Sequence, residues 1–401
     1  MTALPPLTAL PPLVEPAPDL TRAELERCSR HLTLTQVGSE GQRRLKNARV
    51  LIIGAGGLGS PALQYLAAAG VGTIGIVDDD DVALSNLQRQ VVHGTADVGR
   101  PKTDSAAEAV TGLNPEVTVR AHRLRLDVGN ALDVVAQYDL VLDGADNFAT
   151  RYVVSDACAV ADVPCVWGSI LRFEGRVSVF WARHGPTYRD LHPEPPPAGE
   201  VPSCAEGGVL GMLPGTIGMI MVTEAVKLIT GIGAPLLGRV LLHDALQMTW
   251  RELGLRADPD APPVTEVRGL EPEVVECGLP SGPSDHEIVD ATELAALLAA
   301  RVEGAADFAL VDVREDWERD LVSIPGSIPA SLEALLADGA AALPAAARGH
   351  NVILHCKAGS RSADALQALR PDYADREETL RHLAGGVLAW VEHIDPNLPR
   401  Y

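Results

Sequence analysis

Cations are scarce in this 401-residue chain: Lys and Arg number 33 against 54 Asp and Glu, a formal charge of −21. So acidic a surface repels phosphate backbones and anionic headgroups, which excludes broad nucleic-acid binding and attachment to a membrane surface. Cysteine is scarce as well. Cys28, Cys158, Cys165, Cys204, Cys277 and Cys356 form no C-x-x-C pair. That excludes a disulfide framework and points to a reducing, cytoplasmic compartment. No basic flank followed by an apolar core stands at the start, so no signal peptide is expected. One long apolar run, 212–229, carries Pro214, Glu224 and Lys227 and repeats at helical spacing in its last half. Hydrocarbon tolerates such charges poorly, so the run is expected to be a buried helix rather than a membrane span.

What is present is ordinary for a globular protein with a real core: 46% apolar and 22% charged residues. Collagen-like, coiled-coil and wholly disordered classes are thereby excluded. The length suggests two or three domains at ~150 residues each. Residues 1–18 are rich in Pro, Ala and Leu and are expected to form a disordered tail. A second Pro-rich, acidic stretch, 256–286, reads as a linker. This leaves one domain over 19–255 and another over 287–401.

In the first domain, apolar runs at 49–53, 73–77, 117–120, 139–142, 165–167, 177–181 and 240–243 alternate with helical stretches at 58–69, 102–113, 131–137 and 150–161. That rhythm predicts an α/β fold with a mostly parallel sheet covered on both faces. The pattern restarts after the linker with helix 291–301, strands 309–313 and 352–355, helix 362–368 and a closing helix at 388–393. This is a second, smaller α/β unit.

Gly54-Ala55-Gly56-Gly57-Leu58-Gly59 joins the first strand to the first helix, and Gly54, Gly56 and Gly59 fit G-x-G-x-x-G. The first glycine permits a tight turn, the second lets backbone approach phosphate, and the third lets helix pack on strand. Asp78 ends the second strand, where an acid can take ribose hydroxyls. Beyond it lie Leu84-Ser85-Asn86-Leu87-Gln88-Arg89-Gln90, Gly99-Arg100-Pro101-Lys102 and Gly144-Ala145-Asp146-Asn147. Singly, Arg89 and Lys102 read as solvated charges and Asp146 as a loop cap. Together on a nucleotide fold they suit a site that breaks an α–β phosphate bond, where cations offset the charge on leaving pyrophosphate and a carboxylate holds Mg²⁺. A hydride-transfer site needs no such set.

From Arg27 to about Arg251 the chain resembles the MoeB/ThiF family, relatives of ubiquitin-activating enzymes. The resemblance rests on Arg27-x-x-Arg30-His31, the glycine loop, Leu84 to Gln90, Gly99-x-Pro101-Lys102, Asp146-Asn147 with Arg151, and Ser203-Cys204-Ala205-Glu206-Gly207-Gly208-Val209. It implies a Rossmann-like adenylation domain that binds ATP together with a ubiquitin-like sulfur carrier, whose C-terminal glycine carboxylate attacks the α-phosphate. It further implies that Asp78 holds ribose, that Asn86 and Asn147 lie at the nucleotide, that Arg89 and Lys102 contact phosphates, and that Asp146 binds or orients Mg²⁺. Arg30 would reach the phosphates of a second copy, which implies a homodimer. Many members carry two C-x-x-C pairs that bind zinc. Here Thr187-Tyr188-Arg189-Asp190 stands where the first should fall, and only Cys277 lies near the second, so no zinc is expected.

Cys356 sits in His355-Cys356-Lys357-Ala358-Gly359-Ser360-Arg361-Ser362, between a strand and a helix. Backbone N–H groups curling around the sulfur make an anion nest, and the helix start and Arg361 favour a charged sulfur. The loop resembles the active-site loop of rhodaneses, as do Asp312-Val313-Arg314-Glu315 with Glu318, Ile324 to Ile328, and Leu383 to Gly386 with Trp390. A cysteine phosphatase would have five residues between Cys and Arg. Here there are four, Lys357 to Ser360, a smaller cradle suited to a sulfane sulfur. The resemblance implies sulfur transfer by Cys356, charged by an upstream donor of cysteine-desulfurase type, with Cys204 taking a second sulfur step. Arg314 and Asp312 are expected to support the fold, and Cys158 and Cys165 to be core. An NAD(P)-dependent oxidoreductase and a non-catalytic docking scaffold for sulfur carriers remain the alternative readings.

Overall fold

The apolar run at 49–53 becomes an interior strand, third in order, of an eight-stranded sheet. In chain order the strands are β1 (Arg49–Ile53), β2 (Thr73–Val77), β3 (Thr118–His122), β4 (Leu140–Asp143), β5 (Cys165–Leu171), β6 (Glu174–Phe180), β7 (Arg239–Asp244) and β8 (Thr249–Gly254). Their spatial order is β3-β2-β1-β4-β5-β6-β7-β8. Pairings among β1 to β5 are parallel and the last three are antiparallel. This computed structural model describes residues 10–195, 208–270, 283–374, 376 and 378–401. The chain divides into two units, Met1–Glu276 and Cys277–Tyr401.

Successive side chains of β1 point to opposite faces, so both faces need covering. Val50 and Ile52 pack with Leu63 and Leu66 of the helix Gly59–Ala68. Leu51 and Ile53 pack with Tyr152 and Val154 of the helix Phe148–Ala161. Each such side chain contributes about 1.5–3 kcal/mol on burial. The helix Met212–Thr230 is the one among the described residues long and apolar enough to cross a membrane. It lies in the core, with Ile217, Met221, Ala225 and Ile229 packed against the sheet, as the charges in it led us to expect. Its buried Glu224 accepts the Leu236 N–H at 2.7 Å and pairs with Lys227.

Strand order reverses at β1, which has β2 on one side and β4 on the other. Connections there leave in opposite directions, and a crevice opens at the C-terminal ends of the strands. Gly54, at φ +85°, turns the chain out of β1. A Cβ on Gly59 would lie 1.9 Å from the Gly54 carbonyl oxygen, so only glycine lets the helix start this close to the strand.

The described parts of the expected tail and linker, 10–18 and 256–270, are packed on the first unit. Residues 10–18 lie against the first unit: Leu10, Leu13 and Val14 pack on its core, Leu13 N–H bonds Leu228 O at 3.0 Å, and Ala17 N–H bonds Arg43 O at 3.0 Å. Proline-rich composition hid the three apolar side chains that repay the ordering. Residues 256–270 are likewise fastened, with Val267 and Leu270 packed beneath the helix Phe148–Ala161. Asp156, wholly buried in that helix, takes Arg189 at 2.7 and 2.8 Å and the Arg268 N–H at 2.9 Å.

The second unit has a five-stranded parallel sheet of β9 (Ile288–Val289), β10 (Ala309–Asp312), β11 (Ser327–Pro329), β12 (Val352–His355) and β13 (Leu380–Leu383), in the order β11-β10-β12-β13-β9. Val311 and Leu354 face one core and Leu310 and Ile353 the other, so this sheet too is covered on both faces. The fold class expected from the alternation holds for both units.

Replacing Gly59 by Ala is expected to lower the melting temperature of the first unit by roughly 5–10 °C. Gly112→Ala, on an exposed helical site with nothing within 4 Å of the new Cβ, should raise it slightly. Calorimetry on the whole chain checks both. Asp143 ends β4 fully buried, its Oδ1 accepting the Ala145 N–H at 2.9 Å. Burial pushes this carboxyl from 3.8 up to about 6 against the pull of Arg151. A raised folded pKa means stability that is present below 3.8 and lost as pH climbs through about 6. Asp143→Asn should therefore gain on wild type across that interval and hold the gain above it, as read from denaturation midpoints at stepped pH.

Candidate functional site

The crevice beside β1 is a cleft of about 970 Å³. Gly54, Gly56 and Gly57 form its floor, and Asp78, Arg89, Lys102, Asp146 and Asn147 line its walls. Each is placed by local structure. Asp78 Oδ2 accepts the Ala55 N–H at 2.8 Å and Oδ1 accepts the Asp80 N–H at 2.9 Å, so the end of β2 is tied to the glycine loop. Burial raises the Asp78 carboxyl, and the nearby Lys102 only partly offsets this. Lys102 is buried at the start of the helix Lys102–Leu113, with Nζ 2.7 Å from Asp80 and 3.9 Å from Asp78. Carboxylate oxygens of Asp78, Asp79 and Asp80 gather within 4.8 Å of one another beside it.

Arg89 follows a turn in which Asn86 Oδ1 accepts the Ala83 N–H at 3.2 Å, and its Nη1 donates to Ser85 O at 3.1 Å. Gln90 is buried in the cleft wall, and its Oε1 has no hydrogen-bond partner among the described residues. An acceptor left bare there suits a ligand that donates, such as a nucleoside hydroxyl or amine. Asn147 caps the helix Phe148–Ala161, its Oδ1 accepting the Thr150 N–H at 2.9 Å, and Asp146 stands exposed at the rim. Glycine cradle, cations, a bare acceptor and an exposed carboxylate form a donor set that fits a nucleotide with its magnesium.

Gly59 lies behind the cleft as the packing glycine. Asn86 caps its own turn and does not line the cleft. Arg30 is exposed on the helix Ser29–Leu32, also off the cleft. Cys204 and Cys277 lie outside the described residues. Thr187 and Asp190, where a first C-x-x-C was sought, bond each other at 2.7 and 2.9 Å around a short helix.

The far end of the cleft was missed in the sequence. Arg125, Trp167, Ser169, Arg176 and His192 line it. Ser169 and Arg176 face each other across the β5–β6 hairpin. Reading β5 only to 167 and β6 only from 177 cut away the segment that carries them. Burial, then Arg176 and Arg151, hold His192 below its usual range.

In the second unit Cys356 follows β12 at the strand reversal between β10 and β12, and it is wholly buried. Gly359, at φ +104°, turns its N–H onto the sulfur at 3.1 Å. Ser362 Oγ lies 3.6 Å from the sulfur. Arg361 acts on the sulfur through its charge, while its hydrogen bonds go to Glu318. Its two terminal nitrogens, Nη1 and Nη2, each donate to Glu318 at 2.7 Å. Burial would raise the Glu318 carboxyl, but Arg361, the Glu315 N–H and the Tyr401 hydroxyl hold it below the usual range. Arg314 and Asp312 form a wholly buried pair at 2.7 Å, and Arg314 also bonds Val322 O, a role in the fold as expected. Cys158 and Cys165 are buried in the core of the first unit. Burial pushes His355 down to about 4, so it is neutral behind the loop.

Residues 28–263 match the ThiF family and 290–393 the rhodanese-like domain. The chain is similar to "Probable adenylyltransferase/sulfurtransferase MoeZ" of Mycobacterium tuberculosis, at 51% identity over 401 residues, covering 98% of this chain and 100% of that protein. It is similar to "Sulfur carrier protein adenylyltransferase" of Thermus thermophilus at 50% identity, covering 65% of this chain and 98% of that protein. Among solved structures, Escherichia coli MccB with MccA-N7isoASN shares the fold at a TM-score of 0.54 and 21% identity, covering 59% of this chain and 74% of that one. The chain thus belongs to the ThiF family, carries a rhodanese-like domain in its second unit, and is an adenylyltransferase and sulfurtransferase enzyme.

Proposed function

We propose that the first unit adenylates the C-terminal glycine of a ubiquitin-like sulfur carrier and that Cys356 then supplies it with sulfur. The observation that carries this reading is the convergence of Arg89, Lys102 and Asp146 on the cleft floored by Gly54, Gly56 and Gly57. The carrier's carboxylate oxygen attacks the α-phosphorus of ATP, the α–β bond breaks, and pyrophosphate leaves with its charge offset by Arg89 and Lys102. Lys102 exchanges Asp80 for phosphate as it does so. Asp146 would hold Mg²⁺, which supplies charge neutralisation at the phosphates.

The product is an acyl-adenylate. A persulfide anion on Cys356 attacks its carbonyl carbon and AMP leaves, giving an acyl disulfide linked to Cys356. Cys204 thiolate then attacks the Cys356 sulfur. The thiocarboxylate departs, and a Cys204–Cys356 disulfide remains for an external dithiol to reduce. Cys356 acquires its persulfide from a donor of cysteine-desulfurase type. Arg30 of a second copy would complete the phosphate site, making the enzyme a homodimer in the cytoplasm. Molybdopterin, thiamine and tRNA-thiolation pathways all use carriers of this class.

Asp146→Ala is expected to lower carrier-dependent ATP–pyrophosphate exchange by at least ~100-fold. Absence of exchange in the unaltered enzyme with every carrier supplied would remove the adenylation step. Cys356→Ala should leave exchange intact and abolish the mass gain of one sulfur on the carrier. A carrier that still gains sulfur from a persulfide donor separates Cys356 from the transfer.

A further inference from the structure

The Cys356 sulfur works as an anion, whether as thiolate or as terminal persulfide, and it does so wholly buried. Arg361 is committed to Glu318, and the Lys357 ammonium lies over the Tyr401 ring, 4.9 Å from its centre. Arg361 still attracts the sulfur's charge, and hydrogen bonds add to that attraction. The Gly359 N–H is fixed on the sulfur at 3.1 Å by the backbone. The Ser362 hydroxyl is a rotor with one proton and three neighbours: Cys356 Sγ at 3.6 Å, Gly359 O at 3.0 Å and His382 Nδ1 at 3.3 Å.

His382 decides where that proton goes. It comes from β13, placed opposite Leu354 of β12, two residues before the cysteine. With a bare Nδ1 the imidazole would accept the hydroxyl proton and take it from the sulfur. With the proton on Nδ1 it donates to Ser362 Oγ instead, leaving the hydroxyl to choose between a neutral carbonyl and an anionic sulfur. Hydrogen bonds to ions are roughly twice as strong as neutral ones, so the sulfur wins. We propose that His382, protonated on Nδ1, is a positioning residue that turns the Ser362 hydroxyl onto the Cys356 sulfur. Burial holds the ring below its usual range, so it is neutral and carries one proton whose location matters. The proposal rests on the reading of Cys356 as the sulfur-bearing residue.

The test uses the full chain and needs neither carrier nor ATP, so its outcome is separable from that of the adenylation assay. Ultraviolet thiolate absorbance is titrated against pH, with Cys356→Ser as the baseline that removes the other cysteines. His382→Leu and Ser362→Ala should each raise the pH at which the Cys356 thiolate appears by about one unit, tenfold less thiolate at a given pH. The double variant should shift no further, because both changes remove one hydrogen bond. His382→Asn, whose amide N–H replaces the ring N–H, should return most of the shift. An unmoved midpoint in His382→Leu, additive shifts, or no recovery with Asn would overturn the proposal. Should His382→Leu fail to fold, nitrogen NMR of the unaltered protein decides alone: a proton on His382 Nδ1 sustains the assignment, and one on Nε2 refutes it.

Discussion

A carbonyl oxygen and an absent side chain set the geometry of the first unit. The Gly54 oxygen stands 1.9 Å from where a Cβ of Gly59 would be. Without that vacancy the helix Gly59–Ala68 could not begin at the end of β1, and its unpaired N–H groups would not face the cleft. Gly144 closes in on the other side, its N–H on Ile53 O at 3.0 Å and its own absent Cβ 3.1 Å from the same oxygen. Asp78 then ties β2 to Ala55. Floor, wall and neighbouring strand are positioned by backbone, and the side chains of Arg89, Lys102 and Asp146 line the cleft so formed.

Both units carry their candidate site where strand order reverses, and in each a cation there rests on a carboxylate. Lys102 sits on Asp80 in one and Arg361 on Glu318 in the other. The two arrangements differ in how exposed the acid is. Asp80 is largely open to solvent, so the pair can be broken by a competing anion at little cost. Glu318 is 3% exposed at its side chain and is bonded also by Tyr401, so Arg361 stays where it is. The first pair is suited to exchange and the second to rigidity.

Much of this was legible in the sequence because the signals were periodic or chemically unusual. Long apolar runs between helical stretches revealed the parallel strands, and the glycine loop located the cleft. What escaped was short or locally ambiguous. β9 has two residues, β11 contains Pro329, and β13 is broken by Arg381 and His382, so no alternation survives in any of them. The cleft's far end depends on the register Ser169–Arg176, a relation between strands that spacing along one strand does not show. Arg361 was read as the sulfur's partner because it is next in the loop. Its charge does attract the sulfur, but its hydrogen-bond partner, Glu318, lies 43 residues away and was visible only as a resemblance.

Asp156 gathers two stretches of chain, at Arg189 and Arg268, that lie 33 and 112 residues from it. The knot is tied with one carboxylate, one guanidinium and one backbone amide. Chelators find nothing in it to extract and peroxide nothing to oxidise, so neither metal depletion nor thiol oxidation acts on these three bonds directly.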